Sequence, residues 1–260
     1  MDETGWLAPI DIYCERAGAE FWAEPINAVS NGAFLVAAAI AFLLWRRAGG
    51  RDGFALFLIG VIAATGIGSF LFHTHANRWS LVADVIPITI FIYAFFFLAM
   101  RRFLKLGAFA AGVVTLVFFG ASAAFPAGWT ALFGEGADVN GSVGYFPAAL
   151  ALVTVGGLLL SKARRAATVL ANRKNQAWGE SDENARARAF LDKVALPHEA
   201  GTALLTAAAV FALSLTFRSI DMAACGSLPV GTHFLWHALN AVVLFLLVRA
   251  AIRGRAVGAR

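Results

Sequence analysis

Charged residues are scarce in this chain of 260 residues. They make up 14% of it while 60% is hydrophobic, against about 25% and about 45–50% in soluble domains. This excess of apolar surface excludes an ordinary soluble domain and requires a bilayer as solvent. Strand-like alternation is also missing, which favours α-helices over a transmembrane barrel. The acidic start, Met1 to Glu3, lacks the pattern of a cleavable signal, so we expect the first helix to direct insertion.

Long apolar runs take the place of the missing charges. A helix of about 20 apolar residues crosses about 30 Å of hydrocarbon, and such runs recur along the chain without an internal repeat. The predicted spans are 27–46, 53–74, 81–100, 104–124, 143–162, 199–219 and 231–250. We therefore expect one seven-helix membrane domain over 1–260, with 1–26 as an outer arm and 163–198 as a cytoplasmic loop.

The basic residues cluster in a way that indicates topology. The net charge is +5, and 18 of the 21 Lys and Arg residues follow the first, third, fifth and seventh spans. Seven crossings place these four groups on one side, which the positive-inside rule identifies as the cytoplasm. The N-terminus then faces out and the C-terminus is cytoplasmic, with no role in binding nucleic acid. Short outer loops and an alanine and arginine bias favour a bacterial inner membrane.

Five polar side chains interrupt the apolar spans at one depth. Ser69 and His73 lie near the end of the second span, and Asp84 lies near the start of the third. His233 and His237 lie at the start of the seventh span, near the same outer face. An ionisable side chain in a transmembrane helix costs about 2.5–3.5 kcal/mol on insertion scales, so each one is a functional candidate.

Helical spacing predicts a metal site from these residues. Ser69 with His73, and His233 with His237, are four residues apart and therefore share a helix face. Two histidines at this spacing can bind one metal ion, and a third completes the three protein ligands of catalytic zinc. Hydrogen bonding across the bundle is the alternative for the histidines. Haem would leave one of them surplus, and retinal is disfavoured because the seventh span has no lysine.

Three motifs lie in the arm, around the second and third spans, and in the seventh span. They are Cys-Glu at 14–15 with Glu-Pro-Ile-Asn-Ala-Val-Ser-Asn at 24–31, Gly-Ser-Phe-Leu-Phe-His at 68–73 with Asp-Val-Ile-Pro at 84–87, and His-Phe-Leu-Trp-His at 233–237. In order and spacing they resemble the alkaline ceramidase family, within a superfamily of seven-helix membrane hydrolases that includes the adiponectin-receptor type. The resemblance covers most of the chain.

The resemblance implies zinc held by His73, His233 and His237, with Asp84 and Ser69 beside the metal. It implies hydrolysis of the N-acyl amide bond of ceramide or a related membrane lipid. Asp84 would move the proton of the attacking water, and Ser69 would donate to the oxyanion. The alternatives are a hydrogen bond to a ligand histidine for Asp84 and helix packing for Ser69. A lipid receptor or sensor with a structural zinc site also stays open.

The resemblance further implies a calcium site in the N-terminal arm. Glu15 and Glu24 stand at acidic positions of the family, and Asp11 is a possible substitute for a third. Ile12 and Ala17 replace two oxygen ligands that such a site would use. A solvated acidic segment is the alternative.

Both cysteines of the chain, Cys14 and Cys225, fall in predicted outer segments, where a disulfide is permitted. The resemblance implies that they pair, which would tie the arm to the loop before the seventh helix. Free thiols are the alternative.

Overall fold

The chain folds as a bundle of α-helices in the computed structural model, which describes residues 5–137, 139–172, 187 and 190–258. No strand is present among these residues, where a single β-bridge pairs Pro9 with Asn77. A π-helical turn at Leu191–Ala195 leads into α7. The α-helices are α1 (Pro25–Ser30), α2 (Gly32–Arg47), α3 (Gly53–His75), α4 (Arg78–Arg102), α5 (Ala108–Phe133), α6 (Phe146–Asn172), α7 (Leu196–Ala224) and α8 (His233–Gly258).

Seven segments in the described part of the chain are long and apolar enough to cross a membrane. They are Pro25–Arg47, Gly53–His75, Arg78–Arg102, Ala108–Phe133, Val143–Ala171, Leu191–Ala224 and His233–Arg255. This confirms the predicted seven-helix class, and it indicates an integral membrane protein.

The connection between α5 and α6 is shorter than the sequence predicts. We expect a loop over 125–142 from its glycines, but α5 continues through Pro126 and Gly128 to Phe133. Transmembrane helices tolerate both residue types. The helix ends at Gly134, whose φ of +84° is available to glycine at little cost.

The segment predicted as a soluble loop at 163–198 is partly helical. α6 extends to Asn172, and helical structure resumes at Leu191 before α7. The middle of the predicted loop lies outside the described residues. At its other end α7 continues to Ala224, into the segment 220–230 that the sequence predicts as a loop.

The helices differ in how much of their surface the bundle covers. α3 and α8 lie at the centre, whereas α5 lies at the edge with Ala111 buried and most of its apolar side chains outward. Phe109 is 86% exposed and Leu116 is 71% exposed. Contiguous apolar surface of this kind marks an interaction site rather than a face turned to water. Lipid is the medium that suits it.

One end of the bundle is closed by an ion pair between separate helices. Asp52 caps α3 by accepting the Ala55 N–H at 3.2 Å, and it binds Arg102 of α4 at 2.7 Å. Burial acts to raise the pKa of Asp52, but the bonds from Arg102 and Ala55 outweigh it, and the pKa is lowered. Arg255 of α8 contacts the same carboxylate at 3.3 Å. The ends of α4 and α8 and the start of α3 are therefore held together.

The opposite end depends on a close crossing of α3 and α4. At Gly68 a Cβ atom would lie 2.0 Å from the backbone oxygen of Ala83 and 3.2 Å from the amide nitrogen of Asp84. Only glycine allows this approach, because the neighbouring atoms are backbone and cannot turn aside. Ser69 follows Gly68 and Asp84 follows Ala83, so the crossing of the two helices brings Ser69 and Asp84 close together.

The Gly68→Ala variant is expected to lose about 1–3 kcal/mol of stability, since the added methyl must force the two helices apart. Thermal unfolding in detergent should show a lowered midpoint. Gly60→Ala is the matched control, because a Cβ there meets nothing within 4 Å, and its midpoint should stay level or rise. Equal midpoints for both variants would contradict the close crossing.

Candidate metal centre

The three predicted histidines lie together at the end of the bundle where α3 ends and α8 begins. His73 is in the last turn of α3, and His233 and His237 occupy the first two turns of α8. Their relative exposures are 0%, 1% and 2%. One donor atom from each lies within 4.8 Å of the other two, a spacing that can hold a metal ion. The structure thus brings together side chains that are up to 164 residues apart.

The outer nitrogens of two of these rings are fixed by oxygen acceptors. Nδ1 of His73 lies 2.6 Å from Oε2 of Glu24. Nδ1 of His237 lies 2.8 Å from Oγ of Ser30, whose own hydrogen is donated to the Asn27 carbonyl at 2.7 Å. The carboxylate and the serine oxygen must therefore accept, so both Nδ1 atoms carry the proton. In the neutral rings, both Nε2 atoms then have lone pairs.

These two lone pairs face each other inside the protein. Nε2 of His73 lies 3.1 Å from Nε2 of His237. Two unprotonated nitrogens at this distance repel unless a proton or a metal ion lies between them. Two nitrogens bound to one zinc at about 2.0–2.1 Å in tetrahedral geometry lie about 3.3 Å apart. The observed spacing therefore fits a shared zinc ion.

His233 is held by its backbone and by ring stacking. Its N–H donates to Oδ1 of Asp221 at 2.9 Å, and Thr232 donates to the same oxygen at 2.7 Å. Its ring stacks on Tyr13, with the centroids 3.7 Å apart. Nδ1 of His233 is buried and makes no hydrogen bond to any described residue. The His233 ring thus adds a nitrogen that has no hydrogen-bond partner among the described residues. It does so at a site where the Nε2 atoms of His73 and His237 already face inward.

The N-terminal arm is fastened to the start of α8. Cys14 and Cys225 form a disulfide, and the N–H of Cys14 donates to Oδ2 of Asp221 at 2.9 Å. Gly231 has a φ of +62°, and a Cβ there would lie 2.2 Å from Oδ1 of Asp221. A single buried carboxylate therefore anchors both the arm and the turn that carries His233.

The structure places Ser69 and Asp84 next to the histidines. Oγ of Ser69 lies 3.5 Å from Nε2 of His237. Asp84 lies across the α3–α4 crossing from Ser69, and its carboxylate interacts electrostatically with His73, Ser69 and Arg218. Both predicted catalytic residues thus lie on the side of α3 and α4 that borders the three histidines.

Arg218 of α7 forms the far wall of the site. Its guanidinium lies 5.6, 5.5 and 5.2 Å from the ring centroids of Tyr13, Tyr145 and Trp236, distances that suit cation–π attraction. It donates to the Tyr13 hydroxyl at 2.8 Å. Burial raises the pKa of Tyr13 although Arg218 acts to lower it, so Tyr13 is a neutral phenol.

The carboxylates predicted to hold calcium do not form a group. Asp11 is exposed, and Glu15 accepts the backbone N–H groups of Ile26 and Asn27 at 2.7 Å each, which caps α1. Glu24 turns towards the metal centre. In the described part of the chain, the three histidines are the one such group with donor atoms within 4.8 Å. Calcium takes six to eight oxygen ligands, and these acidic residues do not supply such a set.

Glu24 accepts three hydrogen bonds, one of them from a histidine of the metal centre. It accepts from His73 at 2.6 Å, from Nδ2 of Asn27 at 3.1 Å and from Nε of Arg16 at 2.5 Å. Burial acts to raise the pKa of Glu24, but the bonds from His73 and Asn27 and the charge of Arg16 outweigh it, and the pKa is lowered. An ionised carboxylate behind a ligand histidine fixes its tautomer and orientation.

Sequence patterns do not predict five residues that support this site: Tyr13, Arg16, Ser30, Arg218 and Asp221. Arg218 carries one usable signal, since it is a cation next to a long apolar run. Ser30 lies inside the motif at 24–31, but nothing in the motif says that it faces a histidine. The other three depend on contacts between distant segments.

Comparison of the chain with family models, with curated proteins and with solved structures finds no match. Fold and site define the class as an α-helical membrane protein with a buried three-histidine group able to hold a metal ion. The resemblance to the alkaline ceramidases stays a prediction.

The Ser30→Ala variant is expected to weaken zinc binding about 10- to 100-fold, because the N–H of His237 loses its acceptor and the ring its orientation. Competition with a chromophoric chelator measures the affinity. Ser227→Ala removes an exposed hydroxyl that bonds only within its own turn and should bind zinc like the parent. Unchanged affinity in Ser30→Ala would show that this bond does not orient a ligand.

Proposed function

We propose that the chain is a zinc-dependent amidohydrolase that cleaves the N-acyl bond of ceramide or a related lipid amide, giving a fatty acid and a long-chain amine. The observation that carries the proposal is the facing pair of Nε2 atoms of His73 and His237, 3.1 Å apart in a buried site. With His233 they make a donor set of three nitrogens. Catalytic zinc sites use three protein ligands and keep a fourth position for water or substrate.

Zinc held by these residues would lower the pKa of a water to about 7 and polarise an amide carbonyl. The side chains must then move the proton and stabilise the charge that develops. Asp84 would accept the proton of the attacking water, and the electrostatic interaction of its carboxylate with His73 supports this role. It would then deliver that proton to the amine nitrogen as the C–N bond breaks.

Ser69 is suited to stabilise the oxyanion of the tetrahedral intermediate. Its hydroxyl interacts with the Asp84 carboxylate and lies 3.5 Å from Nε2 of His237. When Asp84 takes up a proton, its carboxyl group attracts this hydroxyl less strongly. The hydroxyl is then available to the oxyanion, which forms in the same step.

An apolar cavity below the site supports a lipid substrate. It is lined by side chains of α4, α5, α6, α7 and α8. It starts near Ile88, one turn after Asp84, and reaches Ala99, about 16 Å further along α4 at the rise of an α-helix. Its lining includes Phe91, Phe95, Leu152, Phe211, Asn240 and Leu247.

The apolar lining of this cavity favours an amide with a long acyl chain. Its walls are almost entirely apolar, which suits methylene groups and not a peptide or a sugar. Asn240, in the turn of α8 after His237, is the polar residue in the lining closest in sequence to the metal centre. The scissile amide would thus lie at the histidines, with its acyl chain directed towards the arginine-rich end of the bundle.

The basic residues indicate which end of the bundle faces the cytoplasm. Arg102, Arg253 and Arg255 lie at the end of the bundle opposite the histidines, and by the positive-inside rule that end is cytoplasmic. The metal centre and the N-terminal arm would then face outward, in a bacterial inner membrane.

The Asp84→Asn variant tests the proposal. The parent protein in detergent should release fatty acid from ceramide, and the variant should be slower by about 10²–10⁴-fold, because a carboxamide cannot accept and deliver the proton. Its zinc content should equal that of the parent. Thr89→Ala, which removes a hydroxyl bonded within the exposed face of α4, should leave the rate unchanged.

Two outcomes would contradict the hydrolase. Full activity of Asp84→Asn would remove Asp84 from the mechanism. No fatty-acid release from several acyl amides by a zinc-loaded parent would favour a lipid receptor in which the metal is structural.

A further inference from the structure

The N-terminal arm contains a buried arginine where the family resemblance implies a calcium ion. Arg16 follows Glu15 directly, and its side chain is only 4% exposed. The guanidinium contacts Glu24, whose side chain is 2% exposed. A buried cation already neutralises the carboxylate that the resemblance assigns to calcium, so a divalent ion at that place would be repelled.

The acceptors around Arg16 are all oxygens and come from three parts of the chain. Nε donates to Oε1 of Glu24 at 2.5 Å, one terminal nitrogen donates to the Gly18 carbonyl at 3.0 Å, and the other donates to the His73 carbonyl at 3.1 Å. One carboxylate and two backbone carbonyls are the kind of ligands that a calcium ion binds. The guanidinium uses the same chemistry with five fixed donors.

Arg16 also completes a chain of contacts that ends at the metal centre. It holds one oxygen of Glu24, whose other oxygen accepts from Nδ1 of His73 at 2.6 Å. It binds the backbone of His73 as well, so the side chain and the main chain of one ligand are both tied to the arm. Partners of this kind set the orientation and the basicity of a metal-bound histidine.

We propose that Arg16 is a positioning residue that replaces calcium as the cation of the N-terminal arm, so that the metal centre assembles without calcium. Arg16 does not touch the reacting atoms. It fixes Glu24 and the last turn of α3, and through them His73. The inference rests on the zinc centre of the proposed function and not on the reaction.

The wild-type protein gives the first test, since it needs no variant. Zinc affinity, measured by chelator competition, should change by less than about twofold between millimolar calcium chloride and the same buffer with EGTA, because calcium has no role in orienting the ligands. Tighter zinc binding with calcium would overturn the proposal. Absence of zinc from the wild type under all conditions would instead refute the metal centre itself.

Variants at position 16 give the second test. Arg16→Gln should bind zinc about 10- to 100-fold more weakly, because Glu24 loses its cation and His73 its orientation. Arg16→Lys keeps the charge and should lie closer to the wild type than Arg16→Gln. Arg47→Ala, at an exposed arginine that ends α2, should match the wild type.

Two results with these variants would contradict the proposal while leaving the zinc centre intact. One is zinc affinity in Arg16→Gln within about twofold of the wild type, which would show that Arg16 does not position the ligands. The other is a loss in Arg16→Lys as large as in Arg16→Gln, which would show that the charge is not what matters.

Discussion

The repulsion between two inward-facing imidazole nitrogens is the constraint on which the rest of the site depends. Nε2 of His73 and Nε2 of His237 approach within 3.1 Å, and both rings are prevented from turning by bonds at Nδ1. Glu24 and Ser30 supply those bonds. Two buried nitrogens fixed this close together need a proton or a metal ion between them, and the zinc that we propose would satisfy both.

The N-terminal arm takes its position from the same requirement. The disulfide of Cys14 ties the arm to the end of α7, and Asp221 joins Cys14 to the first residues of α8. Arg16 joins the arm to the end of α3. The arm therefore bridges the two helices that carry the ligands, so its folding and the geometry of the metal centre depend on one another.

The sequence allows the membrane class and the clustering of the three histidines to be predicted, because both depend largely on short-range regularities. Apolar runs give the spans, and the spacing of His233 and His237 gives a shared helix face. Helix ends are less predictable: glycines such as Gly128 indicate a loop, although transmembrane packing keeps α5 helical to Phe133. The resemblance implies that Glu24 binds calcium, whereas in the structure its carboxylate accepts from His73, Asn27 and Arg16.

The residues behind the ligands could not be predicted for a physical reason. Ser30 meets His237 across 207 positions of sequence, and Arg16 meets His73 across 57. Local periodicity says nothing about such pairs, because they are set by how the arm folds over the bundle. Their polarity is informative only once the fold shows which groups they contact.

X-ray absorption at the zinc edge, on protein purified in detergent without added metal, tests the central claim most directly. The account predicts about one zinc per chain, with three histidine nitrogens at about 2.0–2.1 Å and one light-atom ligand from solvent. A sulfur ligand, fewer than three histidine nitrogens, or protein that folds fully without zinc and takes up none would contradict it.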